Sequence, residues 1–145
     1  MNSVKVRVKK LDPAAKLPCY AHDTDAGADI FSLETVTVFP GQMIPIRCGI
    51  AVEIPVGYEI QVRSKSGLAA KHQLFVLNSP GTVDADYRGE ILVLMQNAGP
   101  NPYCFDEGDK IAQFVVGPVY HGDFEEVEEL SETVRGEGGF GSTGQ

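Results

Sequence analysis

Asn78-Ser79-Pro80-Gly81-Thr82-Val83-Asp84-Ala85-Asp86-Tyr87-Arg88-Gly89 lies between two apolar runs, Gln73–Leu77 and Ile91–Met95. Apolar run, polar turn, apolar run is the pattern of a β-hairpin. Pro-Gly is turn chemistry, since proline pre-sets one backbone dihedral and glycine accepts the positive φ that follows. Beyond the turn, Asp84 and Asp86 stand two residues apart, which on extended chain puts both carboxylates on one face. A carboxylate on a returning strand suits a general base, because the sheet holds it still. Taken alone, the stretch reads more readily as a solvated acidic turn.

Outward from this hairpin the pattern stays β. Val4, Val6 and Val8 alternate with Lys5, Arg7 and Lys9, as in a half-buried strand. Thr35–Phe39, Ile50–Ile54 and Tyr58–Arg63 repeat the alternation, punctuated by Pro40-Gly41 and Pro55-Val56-Gly57. Ile91–Met95 is apolar without alternation and should be covered on both faces. Ile111–Val116 follows a Glu107-Gly108-Asp109 turn and closes the series. Only Gly67–His72 reads as helix, with Ser66 as its N-cap. With 16 Gly and 9 Pro spread at about strand spacing, the expected fold is an all-β sandwich or barrel over residues 1–134. Residues 135–145 then form a flexible glycine-rich tail.

A chain of 145 residues supplies one ordinary core. Its first ten residues have no continuous apolar segment, and no run reaches membrane-spanning length, so neither signal peptide nor membrane partner is expected. Cys19, Cys48 and Cys104 are odd in number and widely spaced, which suggests reduced thiols and a cytoplasmic setting. A net charge of -8 argues against nucleic-acid binding, which needs a basic field. An acidic chain holds a polyphosphate only through local cations and a metal ion.

Four further stretches carry candidate chemistry. Asp23-Thr24-Asp25-Ala26-Gly27-Ala28-Asp29 is an acidic loop of small residues, without the spacing of a calcium loop; it serves a metal site or, more simply, a structural turn. Arg63-Ser64-Lys65-Ser66-Gly67-Leu68 brings two cations and two hydroxyls to the start of the helix, where backbone N–H groups receive either phosphate oxygens or ordinary caps. Gln113 is a polar side chain among apolar neighbours and needs a partner, either backbone or ligand. The tail has five glycines between Gly136 and Gly144, so ordering it costs much entropy. Yet it also carries Arg135, Phe140, Ser142 and Thr143, groups suited to clamping phosphate and base. A disordered terminus is the plainer reading.

In order and spacing, these stretches resemble the five motifs of the trimeric dUTP pyrophosphatases (dUTPases). The matching segments are Asp25–Asp29, Ser66–Ala69, Gly81–Gly89, Gly108–Gln113 and Arg135–Gly144. One departure is visible: the family usually has Pro-Arg where this chain has Ser64-Lys65, and lysine keeps the charge without the bidentate fork. The resemblance implies a jelly-roll-like β domain, a homotrimer, and active sites shared among subunits, with the tail arriving from a neighbour. It implies hydrolysis of dUTP to dUMP and pyrophosphate, which limits uracil in DNA and supplies dUMP for thymidylate synthesis. By the same resemblance Asp84 is the general base that activates a water toward the α-phosphorus. Mg2+ is held by the triphosphate and waters, with Asp29 in an outer role and no direct protein ligand. Lys65, Ser66, Gly67 and Gln113 correspond to phosphate contacts, and Asn78 to the uracil-binding amide. Gly81, Thr82, Val83 and Leu92 belong to the base pocket, with backbone contacts from the last three, and Tyr87 packs on the deoxyribose. Arg135, Phe140, Gly141, Ser142 and Thr143 close over the nucleotide. Asp86 is left a structural role, paired with Arg88.

Two rivals share these features. A dCTP deaminase of the same fold would need an acid/base carboxylate near the ring, beyond the hairpin, and the chain offers no clear candidate. A catalytically inactive nucleotide-binding relative would lack Asp84, Tyr87 or the tail, and all are present.

Overall fold

In the computed structural model, which describes residues 1–144, the chain forms an all-β, jelly-roll-like sandwich with one short helix. The strands in chain order are β1 (Arg7–Lys10), β2 (Ala28–Phe31), β3 (Val36–Val38), β4 (Met43–Arg47), β5 (Ile50–Glu53) and β6 (Tyr58–Arg63). After α1 (Ser66–His72) come β7 (Leu74–Val76), β8 (Gly81–Val83), β9 (Leu92–Asn97), β10 (Tyr103–Phe105) and β11 (Lys110–Pro118). The longest ladder is a four-stranded sheet in the order β2-β11-β6-β8. The others are a three-stranded sheet, β4-β9-β7, and two pairs, β1-β5 and β10-β3. All strand pairs among the described residues are antiparallel, which suits strands buried on one face.

The inward faces meet in one core, where Val38, Leu74, Val93 and Ile111 are fully enclosed and Phe105 is 1% exposed. Removing a side chain such as Phe105 would cost about 3–5 kcal/mol in lost transfer energy and cavity. Cys48 lies in the same core, and burial, with the nearby Glu90 charge adding to it, pushes its thiol up to about 12. The buried Asn97 is fully used: its Nδ2 donates to the carbonyls of Val38 (2.9 Å) and Asn101 (2.8 Å), and its Oδ1 accepts from Gly99 N (2.8 Å). Hydrogen bonds offset the desolvation of this amide, which ties β9 to β3.

Several expectations need correction. The first ladder begins at Arg7 rather than Val4, because pairing with β5 starts at Arg7↔Glu53; Val4, Val6 and Val8 keep their half-buried face. β9 is not covered on both sides: Val93, Met95 and Asn97 are buried while Leu92 is exposed, so it alternates after all. The helix is capped at Lys65, in extended conformation and without a side-chain bond, and Ser66 is its first helical residue. Gly81 has no positive φ; the Ser79–Pro80 peptide is cis and Gly81 opens β8. A Cβ on Gly81 would come 3.3 Å from both Asn78 Nδ2 and Val62 Cβ, so close approach is what calls for glycine. Four strands were not foreseen, β8 among them, which opens inside the expected turn. β2 hides in the acidic stretch, β4 contains Pro45 but lies on a sheet edge where proline is tolerated, and β10 is only three residues long.

Candidate active site

The stretch from Asn78 to Gly89 does not make a simple hairpin. β7 and β9 pair directly, Val76 opposite Met95, and Leu77 N donates to Leu94 O at 2.8 Å. Their connection, however, sends β8 into the other sheet, where Gly81, Thr82 and Val83 pair with Val62, Gln61 and Ile60 of β6. One connection therefore bridges two sheets, and a slot opens where they part. Its cavity is about 250 Å³, with Val62, Val76, Val83 and Ile91 among its apolar walls. Asn78, Gly81, Thr82, Asp84, Tyr87, Glu90, Leu92 and Leu94 also line it.

Asp84 follows the last residue of β8 and is exposed, with no ion-pair partner among the described residues. Its carbonyl accepts from Tyr87 N at 3.1 Å, which closes a turn. That turn removes Asp86 from the extended geometry expected of it, so the two carboxylates do not share a strand face. Nor does Arg88 pair with Asp86. Its Nη1 donates to the carbonyls of Ala85 (2.7 Å) and Tyr87 (3.2 Å), and its Nη2 lies 3.6 Å from Glu53 Oε1. The Tyr87 hydroxyl donates to the carbonyl of Glu90 at 3.0 Å. Glu90, not foreseen from sequence, accepts from Arg47 Nε (3.0 Å) and Gly49 N (3.2 Å), and the hydrogen bond and charge of Glu90 raise the Arg47 guanidinium above its usual value. Val62, Val76, Ile91 and Leu94 were also missed; their signal was closeness to the motifs.

A second group of expected residues gathers beside the slot. Asp29, Gln113 and Arg63 form one row across β2, β11 and β6, next to the row of Val62 and Gly81. Asp29 is 3% exposed, with Lys65 Nζ at 2.5 Å from Oδ1 and Lys110 Nζ at 3.0 Å from Oδ2. Burial alone would raise its carboxyl, but the hydrogen bonds and charges of Lys65 and Lys110 outweigh it and hold the group below the usual carboxylate range. Both oxygens thus face ammonium groups, and Lys65 is engaged inside the chain. Ser64 Oγ accepts from Val76 N at 2.9 Å and ties the approach to α1 against β7. The side chain of Gln113 lies over Gly27, where a Cβ would come 2.8 Å from its Oε1. Lys65, Ser66, Gly67 and Gln113 do not line the slot.

The tail residues stand apart. From Tyr120 onward nearly every described residue is exposed and no strand or helix forms. Arg135 Nε donates to Gly138 O (2.7 Å), Gly136 N to Thr133 Oγ1 (3.0 Å) and Ser142 N to Gly139 O (3.2 Å), all local bonds. Phe140 is wholly exposed, with φ 48°. Gln145, the last residue of the expected tail, lies outside the described residues.

An all-β domain that sets an amide, a carboxylate and an aromatic ring around a slot at a sheet junction defines a class: a small-molecule site built on a rigid β scaffold. The comparisons make that particular. A family model described as dUTPase matches residues 14–144. A deoxyuridine 5'-triphosphate nucleotidohydrolase of Gloeothece citriformis is 50% identical over 141 residues, 97% of each chain. One from Clostridioides difficile is 49% identical over 139 residues, 96% of this chain and 97% of its own. Among solved structures, a mutant of the Staphylococcus bacteriophage 80alpha dUTPase with dUpNHpp superposes with a TM-score of 0.89 at 32% identity, covering 97% of this chain and 99% of its own. A dUTPase mutant from phage phi11 of S. aureus, described with a structural Mg(II) ion, gives 0.80 at 30% identity, covering 88% and 99%. The chain belongs to the dUTPase family, and dUTP hydrolysis is the activity that membership carries.

Proposed function

We propose that the slot takes the uracil and deoxyribose of dUTP and that Asp84 is the general base of its hydrolysis to dUMP and pyrophosphate. The observation that carries this reading is the meeting of Asn78, Asp84 and Tyr87 on one slot. Uracil's pairing edge presents donors and acceptors, and the Asn78 amide offers both. Thr82, Val83 and Leu92 add backbone groups around the base, while Gly81 leaves the amide room. The Tyr87 ring packs on the sugar and leaves no space for a 2′-hydroxyl. Asp84 takes a proton from a water whose oxygen attacks the α-phosphorus; the bond to the bridging oxygen breaks and pyrophosphate leaves.

The substrate enters as its magnesium complex, in which the ion neutralises the triphosphate charge. The triphosphate itself supplies the hard oxygen donors that magnesium prefers. Asp29 would serve that ion only in an outer role, since its two oxygens already face Lys65 and Lys110. Ser66, Gly67, Gln113 and the Asp29-anchored Lys65 bind the phosphates. The tail, with Arg135, Phe140, Gly141, Ser142 and Thr143, closes over the bound nucleotide.

The chain works as a homotrimer with shared sites. Support comes from the placement of the phosphate-binding and tail residues, which do not line this chain's own slot. Three free thiols accord with a cytoplasmic setting. Incubation with dUTP and with dCTP, followed by product identification, tests the reading. dUMP with pyrophosphate supports it; ammonia from dCTP would favour the deaminase, and binding without turnover an inactive relative.

A further inference from the structure

We propose that Gly89 is a positioning residue for sugar selection, acting as the seat that lets the Tyr87 ring lie against the slot. A Cβ built on Gly89 would stand 2.4 Å from the Tyr87 hydroxyl oxygen and 2.6 Å from Cζ, distances that side chains do not tolerate. The backbone is not the reason for glycine here, because Gly89 has no positive φ. The ring fills the space that a side chain would take.

When that space is occupied, something must yield, and the backbone is poorly placed to do so. Arg88 holds the carbonyls of Ala85 and Tyr87, Tyr87 N donates to Asp84 O, and Ile91 N donates to Ile50 O at 2.9 Å. The ring is 45% exposed and anchored at its far end by one hydrogen bond, to the Glu90 carbonyl. A methyl at position 89 would break that bond and turn the ring toward water. Asp84 and Asn78 would stay where they are.

The inference rests on Tyr87 guarding the 2′ position, so the experiment separates the two. Specificity constants for UTP and dUTP are measured for the parent, Tyr87→Ala, Gly89→Ala and the double variant. Tyr87→Ala should raise the UTP/dUTP ratio about tenfold, the scale of a lost steric fit. Gly89→Ala should raise it comparably with kcat for dUTP within a few-fold, and the double variant should go no further than Tyr87→Ala. If Tyr87→Ala relaxes selection and Gly89→Ala does not, Gly89 is not the seat. If Tyr87→Ala leaves the ratio unchanged, the reading of the ring falls and Gly89 with it. Additive effects in the double variant would show that Gly89 acts elsewhere. Should Gly89→Ala fold poorly, Tyr87→Phe keeps the question open to decision. Losing the bond to Glu90, it should shift the ratio the same way by less, and no shift would overturn the anchoring.

Discussion

Residues 78–91 and residues 120–144 are both largely irregular, yet one is held and the other is not. The first lies between strands of two different sheets, and β8 within it is pinned to β6 while its flanks are pinned through β7 and β9. Arg88, Tyr87 and Glu90 then lock the remaining backbone with short bonds to carbonyls and amides. The second has neither flank nor ladder, and it leaves Tyr120, Phe124, Leu130 and Phe140 in water. Ordering each residue costs about 1–2 kcal/mol of backbone entropy. In the slot, strand pairing has already met that cost. In the tail, only local bonds within residues 133–144 are set against it.

The sharpest way to break this contrast is to remove chemistry from the held region alone. Asp84→Asn should fold and bind dUTP nearly as the parent does while turnover falls on the order of a hundred- to ten-thousandfold, the usual cost of a lost general base. Steady-state kinetics with a binding titration checks it; turnover within a few-fold of the parent would rule Asp84 out. Next comes removal of the unheld region. Truncation after Val134 should leave the Tm within about 1 °C, since no strand is touched. Turnover should drop on the order of a hundredfold, because misplaced phosphates and admitted water both slow the reaction. Mixing these truncated chains with Asp84→Asn chains should restore part of the activity where one chain's base meets another's tail. No recovery in well-mixed oligomers would mean that each tail serves its own site.

The smallest effect concerns the row beside the slot. Asp29→Asn leaves Lys65 and Lys110 without their carboxylate and should cost about 1–3 kcal/mol of stability at neutral pH. Because the folded carboxyl is held below its ordinary value of 3.8, its contribution is present above that value and lost as pH falls through the lower, folded one. The stability gap between parent and variant, from denaturant melts, should therefore be flat down to about pH 5 and close below about pH 4. A gap that widened in acid would contradict the ion-pair assignment.

Legibility followed the same divide between local and long-range causes. The alternation in Tyr58–Arg63 and the turn before β11 are local, and they were readable. Asn78, Thr82, Val83, Asp84, Tyr87 and Leu92 were identifiable as a group through the resemblance, and the slot does join them. What sequence could not supply was pairing partners. β8 looked like turn because its partner β6 lies some twenty residues away, and β2 looked like acidic loop because Lys65 and Lys110 are remote in the chain. Arg88 stands two residues from Asp86 in sequence, yet its guanidinium meets Glu53 and two carbonyls. Position within a motif grouped these residues, and only tertiary contact said what each one touches.

Cys48 offers a way to watch the held region move. Its thiol is enclosed and pushed up to about 12, so almost no thiolate exists at neutral pH, whereas Cys19 and Cys104 are exposed. Its amide donates to Ile91 O at 3.2 Å, immediately behind the slot. A thiol-reactive dye should therefore mark two sites at once and the third only during transient opening of that wall. The slow third mark is a natural stopwatch, and bound nucleotide should lengthen its interval without a single residue being changed.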